Sequence, residues 1–291
     1  MAEPLVSDCK IEDFNSTYDL VSHAPTDYDC IVGNVATYLS LRGINPDSAL
    51  GRVCVLDAAD PESETPNFRS LGRHQLDAAT ESTALRLRHS TSGIRPTVSM
   101  DRPYVAVGDG FDMPWTPYYR KQHVEHGFLV TEGRLAFDAY RTITEYGEAV
   151  PKVLEHEEWR EVPTYRSLIL STDGPPEHDD TDAEPAVVYD PHSVRRYLDD
   201  VTRQRIPIDQ LSTDTWLMAR ARKVNQRYAH ASRLPVLDAV ARSVDAWAAA
   251  SEAVYIALRR SRRGRGVPTS YMAAIGSALD TDRALVERWG R

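Results

Sequence analysis

Cys30 opens an apolar run, Cys30-Ile-Val-Gly-Asn-Val-Ala-Thr-Tyr-Leu-Ser-Leu41, directly after the polar, turn-like stretch His23-Ala-Pro-Thr-Asp-Tyr-Asp29. A thiol at the start of a helix meets the positive end of the backbone dipole, which favours the reactive thiolate. Far downstream, His126-Gly-Phe-Leu-Val-Thr-Glu-Gly-Arg-Leu-Ala-Phe-Asp138-Ala-Tyr140 reads as a strand, a tight turn and a second strand. An imidazole and a carboxylate on neighbouring strands, facing a cysteine on a helix, would supply a nucleophile, a base and the acceptor that fixes the base's tautomer. The chemistry that needs this set is acyl transfer through cysteine. The thiolate attacks, the imidazole moves the proton, and donors hold the oxyanion. His123 is the rival base; its odd spacing from His126 puts the two rings on opposite faces of an extended strand. His126 is preferred because it directly precedes the apolar Gly127-Phe-Leu-Val130. Singly, each residue has a plainer role: a buried thiol, an edge histidine, a turn-forming aspartate.

The elements that must position them are legible in part. A chain of 291 residues, 42% apolar and 26% charged, suits a soluble globular protein of one large or two small domains. The net charge of −9 argues against a nucleic-acid partner. No basic start followed by an apolar run marks a secretory signal, and no apolar stretch approaches the ~18 residues of a membrane span. Cys9, Cys30 and Cys54 form no paired framework, so the expectation is a cytoplasmic protein with free thiols. Strand-type runs occur at Arg52-Val-Cys-Val-Leu-Asp57, Pro103-Tyr-Val-Ala-Val-Gly108, the His126 run and Tyr165-Arg-Ser-Leu-Ile-Leu170, while 80–88 and 139–148 read as helical. An acidic stretch with three prolines, 172–185, reads as a linker between a mixed part (1–171) and a helical part (186–291). In the latter, Val236, Val240, Val244, Trp247, Val254 and Leu258 form one helix face, suited to a core or to a dimer interface. Residues 193–204, 213–229 and 270–289 are further helices, the last capped or divided at Asp280 and Thr281.

Between the strands at 103 and 126 runs Val107-Gly-Asp-Gly-Phe-Asp-Met-Pro-Trp-Thr-Pro-Tyr-Tyr-Arg-Lys-Gln-His-Val-Glu-His126, an aromatic loop stiffened by proline. With it the chain resembles the N-terminal domain of the butirosin biosynthesis protein H family over roughly residues 15 to 170. The matching positions are Asp29-Cys30, Asp109 with Met113-Pro114-Trp115, His126, and Asp138-Ala-Tyr140, where Ala139 replaces the usual proline. The resemblance implies an α+β, papain-like cysteine protease fold related to bacteriocin-leader peptidases. A helix carrying the cysteine packs on an antiparallel sheet carrying the histidine and aspartate, and an all-α C-terminal domain follows. It also implies that an acyl group passes from a phosphopantetheine-linked thioester on an acyl carrier protein to Cys30, and then to an amine. The product would be an amide or lactam in an antibiotic or other natural-product pathway, with Cys30, His126 and Asp138 as the catalytic triad.

One departure matters. Papain-type enzymes usually carry a glutamine six residues before the cysteine for the oxyanion hole, and here that position is Ala24. Asn34, His23 and the backbone N–H of Cys30 are the candidate replacements. The lost glutamine weakens a peptidase reading more than a transferase one, since a thioester is already activated. Asp109, Asp112, Trp115, Tyr118 and Tyr119 are candidates to line the acyl or acceptor channel, where carboxylates would suit a cationic amine. Arg259-Arg-Ser-Arg-Arg-Gly-Arg265 reads as a solvated helix end or as a docking surface for an acidic carrier. No cofactor and no metal site is expected, because the nine histidines lack ligand spacing. Two rivals remain: a thioesterase or cysteine peptidase that gives the acyl group to water, and a non-catalytic binding protein on the same fold.

Overall fold

Asp29 starts the first helix, α1 (Cys30–Leu41): its carboxylate accepts from the backbone N–H groups of Ile31 and Val32 at 2.8 and 2.7 Å. The computed structural model describes residues 21, 24, 27–60, 63–90, 102–131, 135–172 and 184–289. His23, Cys9 and most of the acidic stretch expected as a linker therefore lie outside the described residues. After α1 come α2 (Pro46–Gly51), β1 (Val53–Leu56) and α3 (Leu71–Ser82), then β2 (Leu85–Ser90), β3 (Tyr104–Asp109) and β4 (Glu125–Val130). They are followed by β5 (Ala136–Asp138), a small hairpin of β6 (Thr142–Thr144) and β7 (Gly147–Ala149), β8 (Lys152–Leu154), the short helix α4 (His156–Trp159) and β9 (Thr164–Thr172). The chain ends with β10 (Ala186–Tyr189), α5 (Pro191–Thr202), α6 (Ile208–Ala231), α7 (Leu237–Arg262) and α8 (Ser270–Trp289). The fold is mixed α+β.

A six-stranded antiparallel sheet, in the order β2-β9-β3-β4-β5-β8, is the platform of the site. Strand alternation divides its side chains between two apolar layers. Val105, Val107, Leu129, Phe137 and Leu168 pack with the buried face of α1, whereas Tyr104, Ala106, Phe128, Val130 and Ala136 pack with Leu154 and Trp159. Gly127 lets α1 settle close to the sheet: a Cβ there would lie 3.2 Å from both Ile31 Cγ1 and Val105 Cγ1. This brings the first turn of α1 against the first residues of β4.

A second core joins residues on both sides of the acidic stretch. β1 pairs in parallel with β10, and its Val53, Cys54, Val55 and Leu56 are buried with Phe68, Tyr197, Trp247, Ile275 and Trp289. The composition shift near residue 180 is thus not a break in packing. The other edge of β1 is satisfied by side chains of α6. Asn225 Nδ2 donates to the carbonyls of Gly51 and Val53, both at 2.8 Å, and Arg222 Nη2 donates to that of Val55 at 2.6 Å. Arg222 is itself fully buried and clasps Asp282 of α8, which also accepts from Ser243 and from Trp247 Nε1 of α7. Gly51 is required at this junction, since a Cβ would come within 2.8 Å of the Val224 carbonyl oxygen.

Three helix expectations are corrected. Residues 80–88 are not one helix, because α3 ends at Ser82 and β2 begins at Leu85. There Leu85 and Leu87 alternate with the exposed Arg86 and Arg88, a period of two. Residues 139–148 form the β6–β7 hairpin, with β-branched Thr142, Ile143 and Thr144 in one strand and Gly147 at φ 138°. Finally, α8 runs through Asp280 and Thr281 without a break. Thr281 Oγ1 donates back to the Ser277 carbonyl at 2.8 Å, and the next residue, Asp282, is turned into the core.

Removing Asp282 would leave the buried Arg222 charge unpaired. Asp282→Ala is therefore expected to lower stability by about 3–5 kcal/mol in urea unfolding, and the apolar pair Arg222→Met with Asp282→Leu by much less.

Candidate active site

Cys30 is the first residue of α1 and half-buried, with Sγ 3.7 Å from the carbonyl oxygen of Glu125, to which the thiol form donates. Glu125 directly precedes His126 at the start of β4. The His126 ring is buried, and its Nε2 lies 2.7 Å from Asp138 Oδ2 at the end of β5. That leaves Nδ1 as the ring nitrogen free to serve a thiol. Cys30 lies beside the ring, near enough for its charge and a side-chain hydrogen bond to act on the imidazole. The structure thus brings Cys30, His126 and Asp138 together.

Burial by itself would strip the proton from His126. The negative charges of Asp138 and then Cys30, with their hydrogen bonds, outweigh it and push the ring's pKa up from 6.5 to about 10. The imidazolium is therefore the resting form at neutral pH. It faces a sulfur that also sits at the positive end of a helix dipole. Asp138 is held from three sides: by His126, by Trp115 Nε1 at 2.9 Å on the same oxygen, and by the Tyr140 backbone N–H at 3.0 Å on the other.

Asn34 does not serve as an oxyanion donor. Its side chain is fully buried, and both Nδ2 hydrogens are in use, bonded to the carbonyls of Cys30 at 2.6 Å and Gly127 at 2.9 Å. Its Oδ1 accepts from the backbone N–H groups of Leu129 and Ala139, both at 3.2 Å. The amide is a bracket that ties the nucleophile's helix to the strands of the base and of the orienting carboxylate. The other oxyanion candidate, His23, lies outside the described residues.

The five candidate channel residues separate. Asp109 is committed to its own loop, accepting from Phe111 N and Val124 N and contacting His123 Nδ1 at 2.6 Å. His123 itself is mostly exposed and stacked on Phe111, so it is not a second base at this site. Asp112 pairs with Arg120 at the surface, and Tyr119 is exposed beneath the same guanidinium. Trp115 holds Asp138. Tyr118 is joined to the His126 side of the site through Tyr140: its hydroxyl is 3.2 Å from that of Tyr140, whose ring packs on His126.

Sequence reading missed the part played by α6. Arg220 donates from Nη1 to the Tyr28 carbonyl at 2.5 Å and from Nη2 to the Arg141 carbonyl at 2.6 Å. It thereby joins the loop before Cys30 to the loop after Asp138. The same guanidinium lies 4.3 Å over the ring of Trp216. Lys223 and Arg227, farther along the helix, reach Asp27 at 3.0 and 3.1 Å. Burial works against the Asp27 charge, but these cations hold its carboxyl below the usual range. They fix it at φ 68°, a left-handed conformation uncommon for aspartate. The spacing of Arg220, Lys223 and Arg227 was a readable cationic stripe on one helix face, but nothing in the sequence named its partner.

Among the described residues no helix is long and apolar enough to cross a membrane. Comparison with known proteins finds no matching family model and no similar curated sequence.

Two outcomes are expected. The folded-state pKa of His126 lies above its ordinary value, so the imidazolium's contribution to stability is complete below about pH 6.5 and lost as the pH rises through about 10. The difference in unfolding free energy between wild type and His126→Gln should accordingly shrink steadily over that window; a flat difference would contradict the assignment. Asn34→Ala removes all four hydrogen bonds of the side-chain amide, most of them buried, and should cost about 3 kcal/mol in urea unfolding.

Proposed function

We propose that this chain is a cysteine acyltransferase on a papain-like α+β fold, taking an acyl group from a carrier-bound thioester and giving it to an amine. The observation that carries the reading is the junction of Cys30, at the dipole end of α1, with a buried His126 charged through Asp138. The helix-on-sheet arrangement and the order cysteine, histidine, aspartate along the chain support the fold assignment. The resemblance to the butirosin biosynthesis protein H family supports the carrier-protein donor, the amine acceptor and a place in natural-product assembly.

The steps follow from the groups present. The Cys30 thiolate attacks the thioester carbonyl carbon, and the carbonyl π pair moves to oxygen. Collapse of this tetrahedral species breaks the bond to the carrier's sulfur, and the departing thiolate takes the proton from His126 Nδ1. The site then holds an acyl-Cys30 thioester and a neutral imidazole. An amine attacks that thioester and loses a proton to Nδ1, and collapse expels the Cys30 thiolate beside a restored imidazolium. An amine within the same acyl chain gives a lactam, and a separate one gives an open amide. Asp138 keeps the ring's tautomer and orientation through both halves, with Trp115 fixing the carboxylate oxygen it uses.

Intact-protein mass spectrometry after incubation with acetyl and octanoyl thioesters of N-acetylcysteamine tests the reading. An acyl adduct is expected on wild type and none on Cys30→Ala. His126→Ala should acylate about 10²–10⁴-fold more slowly. Added primary amines should discharge the adduct as amide faster than water does. Discharge to water alone would make the protein a hydrolase, and an inert Cys30 would leave a binding protein.

A further inference from the structure

With the sequence-level candidate Asn34 fully committed elsewhere, the site needs another donor for the oxyanion. The backbone N–H of Cys30 is one, since as the first helical residue it has no intrahelical acceptor. A second donor must come from a side chain beside the sulfur that is rigidly held and has a hydrogen to spare.

Tyr140 and Tyr118 meet these requirements together. Tyr140 is almost wholly buried, its ring packed edge-on against His126 at 5.2 Å and against Trp216 at 6.2 Å, with Arg220 5.9 Å from its centroid. Tyr118 comes from the proline-stiffened loop and packs on Tyr146. Their hydroxyl oxygens are 3.2 Å apart. Two hydroxyls carry two hydrogens, and one mutual bond uses only one of them. The other has no acceptor among the described residues. Burial, above all, raises both phenols, and the negative charge of Cys30 adds to it, so both remain O–H donors at neutral pH. The contact of Tyr140 with the His126 ring places the pair beside the base.

We propose that the Tyr118–Tyr140 hydroxyl pair, together with the Cys30 backbone N–H, forms the oxyanion hole of this site. The inference rests on the acyl-transfer reading. The free hydroxyl hydrogen bonds to the carbonyl oxygen as it gains the π pair, and no proton is transferred. The mutual bond polarises the donating hydroxyl, and the packing of Tyr140 on His126 keeps the donor fixed relative to the base. The pair does the work of the missing glutamine from the two sides of the His strand, Tyr118 before β4 and Tyr140 after β5, instead of from before the cysteine.

The test compares two reactions of the same sulfur in the full-length protein. Acylation by the acetyl thioester of N-acetylcysteamine builds an oxyanion, whereas alkylation of Cys30 by iodoacetamide is a displacement at saturated carbon and builds none. For Tyr118→Phe with Tyr140→Phe, single-turnover acylation should fall about 10²–10³-fold while Cys30 alkylation stays within about twofold of wild type. Each single variant should fall part of the way. If acylation is unchanged, the assignment is overturned. It is equally overturned if acylation and alkylation fall together, because the tyrosines then only hold the thiol and ring in place. A wild-type protein whose Cys30 is never acylated overturns the acyl-transfer reading itself, a result distinct from either.

Discussion

The constraint on which the site depends is the buried amide of Asn34. A primary amide has two hydrogens to give and two lone pairs to receive, and in a dry interior each one left unused is costly. All four are used in one place: the Cys30 carbonyl, the Gly127 carbonyl, the Leu129 N–H and the Ala139 N–H. These groups belong to Cys30 itself and to residues beside His126 and Asp138 on β4 and β5. The amide can be satisfied only when α1, β4 and β5 stand in one relative position. The relative placement of Cys30, His126 and Asp138 thus follows from a hydrogen-bond requirement one helical turn away.

A second brace comes from the far end of the chain. The loop before Cys30 carries a left-handed Asp27 and the capping carboxylate of Asp29, and its Tyr28 is buried against α1. Helix α6 anchors it with charge: Arg220 takes the Tyr28 carbonyl, Lys223 and Arg227 take Asp27, and Arg227 also takes Asp47. Asp47 in turn accepts from the Tyr28 hydroxyl at 2.7 Å. The same helix turns Arg222 and Asn225 the other way, onto the edge of β1. So α6 belongs to both cores. The helical region following the acidic stretch is part of the framework that sets the cysteine's position.

How much of this could be read beforehand follows from distance along the chain. Asp29, Cys30 and the apolar run after them are a local signal, and so is the strand, turn and strand from His126 to Asp138; local rules of capping and alternation suffice for both. Residues 80–88 misled because a leucine–arginine alternation beside a true helix end mimics an amphipathic pattern. Residues 139–148 misled because Ala139, Tyr140, Glu145 and Glu148 lend helical composition to a segment whose β-branched residues settle it as a hairpin. Trp115 was legible as a site residue but not as the holder of Asp138, since a channel and a hydrogen bond ask for the same aromatic loop. Arg220 was legible as part of a cationic stripe but not as a brace of the site. Its acceptors are main-chain carbonyls, which every residue has, and they lie 192 and 79 positions away.

The two described cysteines show that the environment, more than the residue type, decides the chemistry. Cys54 is fully enclosed in β1, where burial first and the nearby Asp282 charge next push its thiol up to about 12 against the pull of Arg222. It packs as a small apolar side chain and stays a thiol. Cys30 sits at a helix start, beside an imidazole held charged by Asp138, with partial access to solvent. Nothing in the sulfur differs. What differs is that charge on Cys54 would have to be carried in a dry core, whereas Cys30 stands at the end of a helix dipole and beside a ring held charged by Asp138. Those surroundings are what the Asn34 bracket and the α6 brace hold in place, through hydrogen bonds from a side chain one helical turn away and from a helix distant in the chain.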